Sequence, residues 1–305
     1  MSVIKVKEVS KTFGDTKAVD RVSFEIPAGK IYGILGPNGA GKTTTIRMIN
    51  HIMVPDSGEI FIQGKPVGPE TQPLIGYMPE ERGLYKKMKV GEHLVYLARL
   101  KGMSESAAKK SLNYWLDRFE ASEWKKKEVG ELSKGMQQKI QFIATIAHDP
   151  DIYIFDEPFS GLDPINSELL KEVILELKTR GKTVLFSTHR MEQVEQMCDD
   201  ICLYNHGKKV LDGNLNDIKK SFGRNTVIME FEGDGSFFDR FDGIRFNNRS
   251  NRFVEMILGD VIKPSDLLAE AMQHLEIIRY EMVYPSLHEI FIQTVKSSSN
   301  NRTSA

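Results

Sequence analysis

The sequence predicts an α/β fold: a mixed sheet carrying a helical insertion, followed by a small α+β unit. Three observations carry this. The apolar run Ile31–Leu35 leads through a glycine-rich loop into a helical pattern. Two more continuous apolar runs, Ile152–Phe155 and Thr183–Phe186, are each followed by polar residues and then helical periodicity. Buried parallel strands with crossover helices read this way. After Lys219-Lys220 the patterns run β-α-β-β-α-β, which suggests a ferredoxin-like unit.

The elements follow in order. Ile4–Val9, Val22–Ile26 and Ile31–Leu35 are strand-like, and a helix is expected from Thr43 to about Ile52. Glu59–Gln63 and Leu74–Tyr77 read as strands. From about 90 to 150 the pattern is mostly helical, with Leu94, Leu97, Ala98 and then Leu112, Trp115, Leu116, Phe119 at helical spacing. One core of about 215 residues results, and at roughly 150 residues per domain the 305-residue chain holds about two domains. In the second unit Thr226–Phe231 is a strand, Ser236–Phe241 a short helix and Ile244–Phe246 a weak strand. Arg252–Leu258 turns Val254, Met256 and Leu258 to one face. Pro264–Leu275 is an amphipathic helix with Leu267, Leu268, Ala271, Met272 and Leu275 inward. Glu276–Val283 alternates through Ile278, Tyr280 and Met282, and a last helix covers Ser286–Val295. The division expected is 1–218, 219–296 and a frayed tail, 297–305.

Composition narrows the function. Lys and Arg number 41 against 42 Asp and Glu, a net charge of −1, which disfavours a dedicated nucleic-acid binder. Two cysteines, Cys198 and Cys202, exclude a disulfide scaffold and fit a reducing compartment. They read as buried thiols. The first residues lack the apolar core of a signal peptide, and no stretch approaches the ~18 apolar residues of a membrane helix. Work at a membrane would then go through a partner.

Gly36-Pro37-Asn38-Gly39-Ala40-Gly41-Lys42-Thr43 matches G-x-x-x-x-G-K-[ST], between a strand and a helix. Glycines let backbone N–H groups turn inward around phosphate oxygens, and the helix N-terminus adds partial positive charge. Lys42 is placed for the β- and γ-phosphates, the Thr43 hydroxyl for Mg²⁺, and Thr44 extends the cradle. The strand Ile152–Phe155 ends in Asp156 and Glu157. In such folds its end lies beside the phosphate loop, so Asp156 suits Mg²⁺ and Glu157 suits a general base for water. His189 ends the next apolar strand, where it would reach a γ-phosphate or the water. Leu132-Ser133-Lys134-Gly135-Met136 opens another helix, with Ser133 as N-cap and Gly135 allowing close approach. A second phosphate-facing helix end on a chain with one phosphate loop makes sense if two chains sandwich ATP.

These residues resemble the ATP-binding subunits of ABC transporters over about 1–215. Gly36–Thr43 looks like Walker A, Ile152–Glu157 like Walker B, Leu132–Gln137 like the signature motif and Ser160–Asp163 like the D-loop, with Asp163 near the nucleotide. His189 falls at the switch histidine, and Phe13 aligns with the aromatic that stacks on adenine. The resemblance implies an ABC ATPase core binding ATP and Mg²⁺, a homodimer or heterodimer, and integral-membrane permease subunits at the cytoplasmic face, with no nucleic acid. Pro79–Lys89 corresponds to the region that docks the membrane partner. Two positions depart from the pattern. Glu80 stands where the family usually has Gln, as a metal ligand or a charge repelling metal-free ATP. Lys134 and Met136 replace the usual signature Gly and Gln. Glu81–Tyr85 and Pro285–Phe291 are similar to bacterial exporter ATPases of sodium-efflux and drug-resistance systems. The alternatives are an ABC-type ATPase acting on ribosomes or DNA, and a module that holds ATP without turnover.

Overall fold

The computed structural model describes residues 1–259 and 262–300. It divides into two compact units, Met1–Asn214 and Leu215 onward, a few residues ahead of the break suggested by Lys219-Lys220. Strands β1 (Ser2–Phe13) and β2 (Thr16–Pro27) form a hairpin. Strand β3 (Ile31–Leu35) runs through Gly36–Gly41 into α1 (Lys42–Ile49). β4 (Ser57–Ile62), the short β5 (Lys65–Pro66) and β6 (Ile75–Met78) follow. The helical insertion comprises α2 (Val90–Leu100), α3 (Glu105–Arg118), two 3-10 turns and α4 (Lys134–Ile146). β7 (Ile152–Asp156), α5 (Pro164–Thr179), β8 (Thr183–Thr188), α6 (Met191–Met197), β9 (Asp200–Asn205) and β10 (Lys208–Asn214) complete the unit.

The expected mixed sheet is six-stranded, in the order β10-β9-β3-β8-β7-β6. All its pairings are parallel except β10 with β9. Every residue of β3, β7 and β8 is buried, which explains why they read as unbroken apolar runs rather than alternating ones. The early strands form a separate antiparallel sheet, β2-β1-β4-β5. A two-residue turn joins β1 to β2, and only antiparallel neighbours close that way. In the insertion, Trp115, Phe119 and Phe142 lead to Phe155 of β7 at centroid spacings of 6.4, 5.6 and 5.0 Å. Such pairs each contribute about 0.5–1.5 kcal/mol beyond area burial. This aromatic ladder anchors the insertion to the strand that ends in Asp156.

The second unit holds α7 (Leu215–Ser221), β11 (Thr226–Glu232), a 3-10 turn at Gly235–Arg240, β12 (Ile244–Ser250), β13 (Phe253–Leu258), α8 (Pro264–His274), β14 (Glu276–Val283) and α9 (Leu287–Asn300). Its sheet order, β12-β13-β11-β14, is antiparallel throughout, as a ferredoxin-like unit requires. Val254, Met256, Leu258, Leu267, Ala271 and Leu275 are buried as expected. Two inward assignments fail. Met272 is 66% exposed and Ile278 61% exposed. In β14 a register shift opposite Glu230/Phe231 pairs Glu230 with Arg279 but Phe231 with Ile277, so Ile277 faces the core and Ile278 is flipped out. On α8 the buried stripe is narrow, Leu267 and Ala271, and Met272 lies just past its edge. The expected tail, 297–305, begins within α9, and 301–305 lie outside the described residues.

Candidate nucleotide-binding site

Sheet order assembles the site. β3, β8, β7 and β6 are parallel neighbours, so the segments after all four leave the same edge. Those segments carry Gly36–Thr44, His189, Asp156-Glu157 and Glu80.

The phosphate loop needs its glycines for space as well as for φ. Gly36 (φ 147°) and Gly41 (φ 105°) have left-handed backbones. A methyl at Gly36 would fall 2.4 Å from the Tyr204 carbonyl oxygen, and one at Gly41 2.3 Å from that of Ala18. Gly41 is also the N-cap of α1, and no side chain caps that helix. Its first N–H groups are therefore left for an anion. Lys42 is 6% exposed, and its Nζ donates to the carbonyls of Gly36 and Pro37 at 2.8 and 3.1 Å. Burial lowers its pKa, and Glu157, Asp156 and Glu80 oppose that shift.

Asp156 is fully buried at the end of β7. Its Oδ1 accepts from the Ser187 hydroxyl and from Thr43 Oγ1, the latter at 3.2 Å. Burial raises its pKa, and the two hydroxyls pull it back. Among the described residues Oδ2 has no hydrogen-bond partner. An open, buried carboxylate oxygen beside a threonine hydroxyl fits a hard divalent cation such as Mg²⁺, and inward-facing N–H groups next to it fit a phosphate. Glu157 is held in the left-handed region (φ 49°), a conformation costing a non-glycine residue about 1–2 kcal/mol. Its N–H donates to the Ser187 carbonyl and hydroxyl at 3.2 and 3.1 Å. This turns the carboxylate toward Lys42 Nζ, 4.0 Å away, and His189 Nδ1, 3.0 Å away.

Asn38–Thr44, Glu80, Glu157 and Ala18 line one cavity of 370 Å³. Glu80's carboxyl is raised by burial and by Asp156 and Glu157, with Lys42 opposing. Its loop is pinned by buried Gln141, whose Nε2 donates to the Pro79 carbonyl at 2.7 Å. The other expected residues lie outside this lining. Phe13 is 48% exposed at the β1–β2 turn, with Lys11 Nζ 5.9 Å from its ring centroid. Ser133 Oγ accepts from Met136 N at 3.3 Å and so caps α4, beside exposed Lys134 and half-buried Gly135 and Met136. Asp163 caps α5 by accepting from Asn166 N at 2.9 Å, and that bond holds its pKa down. Cys202 is buried as expected but Cys198 is only half-buried, since it lies at the end of α6, and desolvation pushes both thiols well up.

Sequence reasoning missed Ser187, Gln141 and Ala18. Ser187 had a signal: a carboxylate at the end of an all-buried strand must find donors, and the neighbouring strand ends in hydroxyl residues. Gln141 had none, because its partner is a loop carbonyl 62 residues away.

The fold and site define a P-loop nucleotide-binding protein. Residues 19–160 match the family model for ABC transporters, and residues 213–295 match one described as the C-terminal domain of DrrA1-3-like ATP-binding proteins. The chain is 46% identical to the uncharacterized ABC transporter ATP-binding protein YhaQ of Bacillus subtilis, over 96% of this chain and 98% of that one. It is 38% identical to a Nod factor export ATP-binding protein I of Burkholderia lata, over 69% and 70% of the two chains. A solved ATP-binding subunit of an ABC transporter superposes with a TM-score of 0.69 at 34% identity, covering 73% of this chain and 94% of that one. The chain belongs to the ATP-binding subunits of ABC transporters.

Proposed function

We propose that this chain hydrolyses Mg-ATP and uses the cycle to drive a membrane permease, in the direction of export, from the cytoplasmic face. The observation that carries hydrolysis is the joint placement of Glu157: in the cavity of the phosphate loop and 3.0 Å from His189 Nδ1. The loop N–H groups and Lys42 hold phosphate oxygens, with Lys42 leaving the carbonyls of Gly36 and Pro37 to do so. Thr43 and Asp156 hold Mg²⁺, which neutralises phosphate charge when bound. Glu157 takes the proton of the attacking water, and His189 fixes the direction of that carboxylate. Glu80 joins the metal's surroundings when Mg²⁺ is present, and Phe13 stacks on the adenine.

Ser133–Met136 and Asp163 lie outside the cavity, which supports their facing the ATP of a second ATP-binding subunit, an identical or related copy. The permease docks at Pro79–Lys89. Pro79, Gly83 and Leu84 line a groove of 590 Å³ with Tyr77, Leu97 and Gln141, which supports that assignment. Among the described residues no helix is long and apolar enough to cross a membrane, so the transport path belongs to the partner. Export is supported by the relative named for Nod factor export. The test is co-purification from gently solubilised membranes with Mg-ATP. A polytopic membrane protein in fixed ratio is the expected result. Recovery of ribosomal or DNA-associated partners alone would overturn the transporter reading.

A further inference from the structure

Three segments meet at Gly161. A methyl at Gly161 would lie 3.3 Å from Arg82 Nη2, so one guanidinium nitrogen reaches that glycine. A methyl at Gly135 would lie 3.5 Å from the Gly161 carbonyl oxygen, so the first turn of α4 packs on the same residue. Gly161 itself is left-handed (φ 75°). At Gly161 the Arg82 side chain, from the segment after Glu80, therefore meets the loop after Glu157 and the start of α4.

Arg82 is half-buried, and its Nε is shut off from solvent with no hydrogen-bond partner. Arg82 makes neither an ion pair nor a side-chain hydrogen bond with the described residues, although a guanidinium carries five donors. A guanidinium nitrogen buried without an acceptor is mildly destabilising. Arg82 Nη2 instead fills the space beside Gly161 that a side chain there would take. The next residues, Gly83 and Leu84, line the 590 Å³ groove. One side chain thus stands between the groove's wall and the Gly161–Gly135 contact.

We propose that Arg82 is a positioning residue: it sets the Ser160–Asp163 loop and the Ser133–Met136 helix start as one body, in register with whatever fills the groove. The inference rests on the pairing of two subunits proposed above. It assigns the coupling between permease side and pairing surface to a residue that touches neither nucleotide nor metal.

The experiment uses full-length chain carrying Glu157→Gln, so that ATP is held, and follows Mg-ATP-driven dimerisation by sedimentation velocity. Adding Arg82→Ala is expected to weaken dimerisation about tenfold, the size of an ordinary coupling between sites. Binding of a fluorescent ATP analogue to the dilute single chain should stay within about twofold. Unchanged dimerisation with Arg82→Ala would overturn the proposal. So would a parallel fall in dimerisation, single-chain binding and melting temperature, since that marks a merely structural arginine. A parent Glu157→Gln chain that stays monomeric removes self-pairing, and this inference with it, before Arg82 is touched.

Discussion

The carboxylates of the site depend on hydroxyls that carry no charge. Ser187 holds Asp156 Oδ1 with its hydroxyl and the Glu157 N–H with its oxygens. Ser187→Ala should therefore fold normally and lose about 10–100-fold in Mg-dependent turnover, the usual cost of removing an orienting partner from a metal ligand. Steady-state phosphate release against Mg²⁺ concentration checks this. Glu80 makes a different prediction. It faces Asp156 and Glu157 across the cavity, and only Lys42 opposes them. Glu80→Gln should tighten binding of metal-free ATP about fivefold, near 1 kcal/mol for one partly screened charge, while raising the Mg²⁺ needed for half-maximal turnover. Titrations with and without chelator decide it. At this scale the sequence was most legible where chemistry is local. The run Gly36–Thr43 and the pair Asp156-Glu157 are contiguous, and their roles follow from spacing. Ser187 acts across strands and Gln141 from a helix to a distant loop, so spacing alone finds neither, and only the need of a buried carboxylate for donors pointed to Ser187.

Elements were legible wherever burial is two-sided or strictly periodic. β3 has the limits its apolar run predicts, and β7 and β8 extend only into the polar residues that follow. Legibility failed at Ile278, because the register shift in β14 changes which face a residue takes without changing its hydrophobicity. α4 also carries a pH response. It ends beside His148, where burial pushes the imidazole down to about 4 from its ordinary value near 6.5. The folded chain leaves this histidine neutral between those values while the unfolded chain protonates it. The unfolded state then binds more protons, so stability falls as pH drops from about 6.5 to 4. Melting temperatures across that window should fall less steeply for His148→Gln than for the wild-type chain.

At the scale of the whole molecule, every residue assigned to nucleotide chemistry lies in Met1–Asn214, and the second unit has its own core around Met229, Phe238 and Met256. A chain ending at Asn214 is expected to bind ATP with an affinity within about threefold of the full chain, measured by equilibrium titration. Two units were visible in the sequence because the pattern changes from long apolar runs to short alternating strands. The separate antiparallel sheet was not visible, since pairing partners are set by turns and packing. The central claim is that Glu157 performs hydrolysis at the phosphate loop. Phosphate release and ATP binding by wild type and Glu157→Gln in Mg²⁺ test it most directly. The account predicts that the variant binds ATP as wild type does and loses at least about 100-fold in turnover, the span expected of a general base. Near-normal turnover by Glu157→Gln would contradict it.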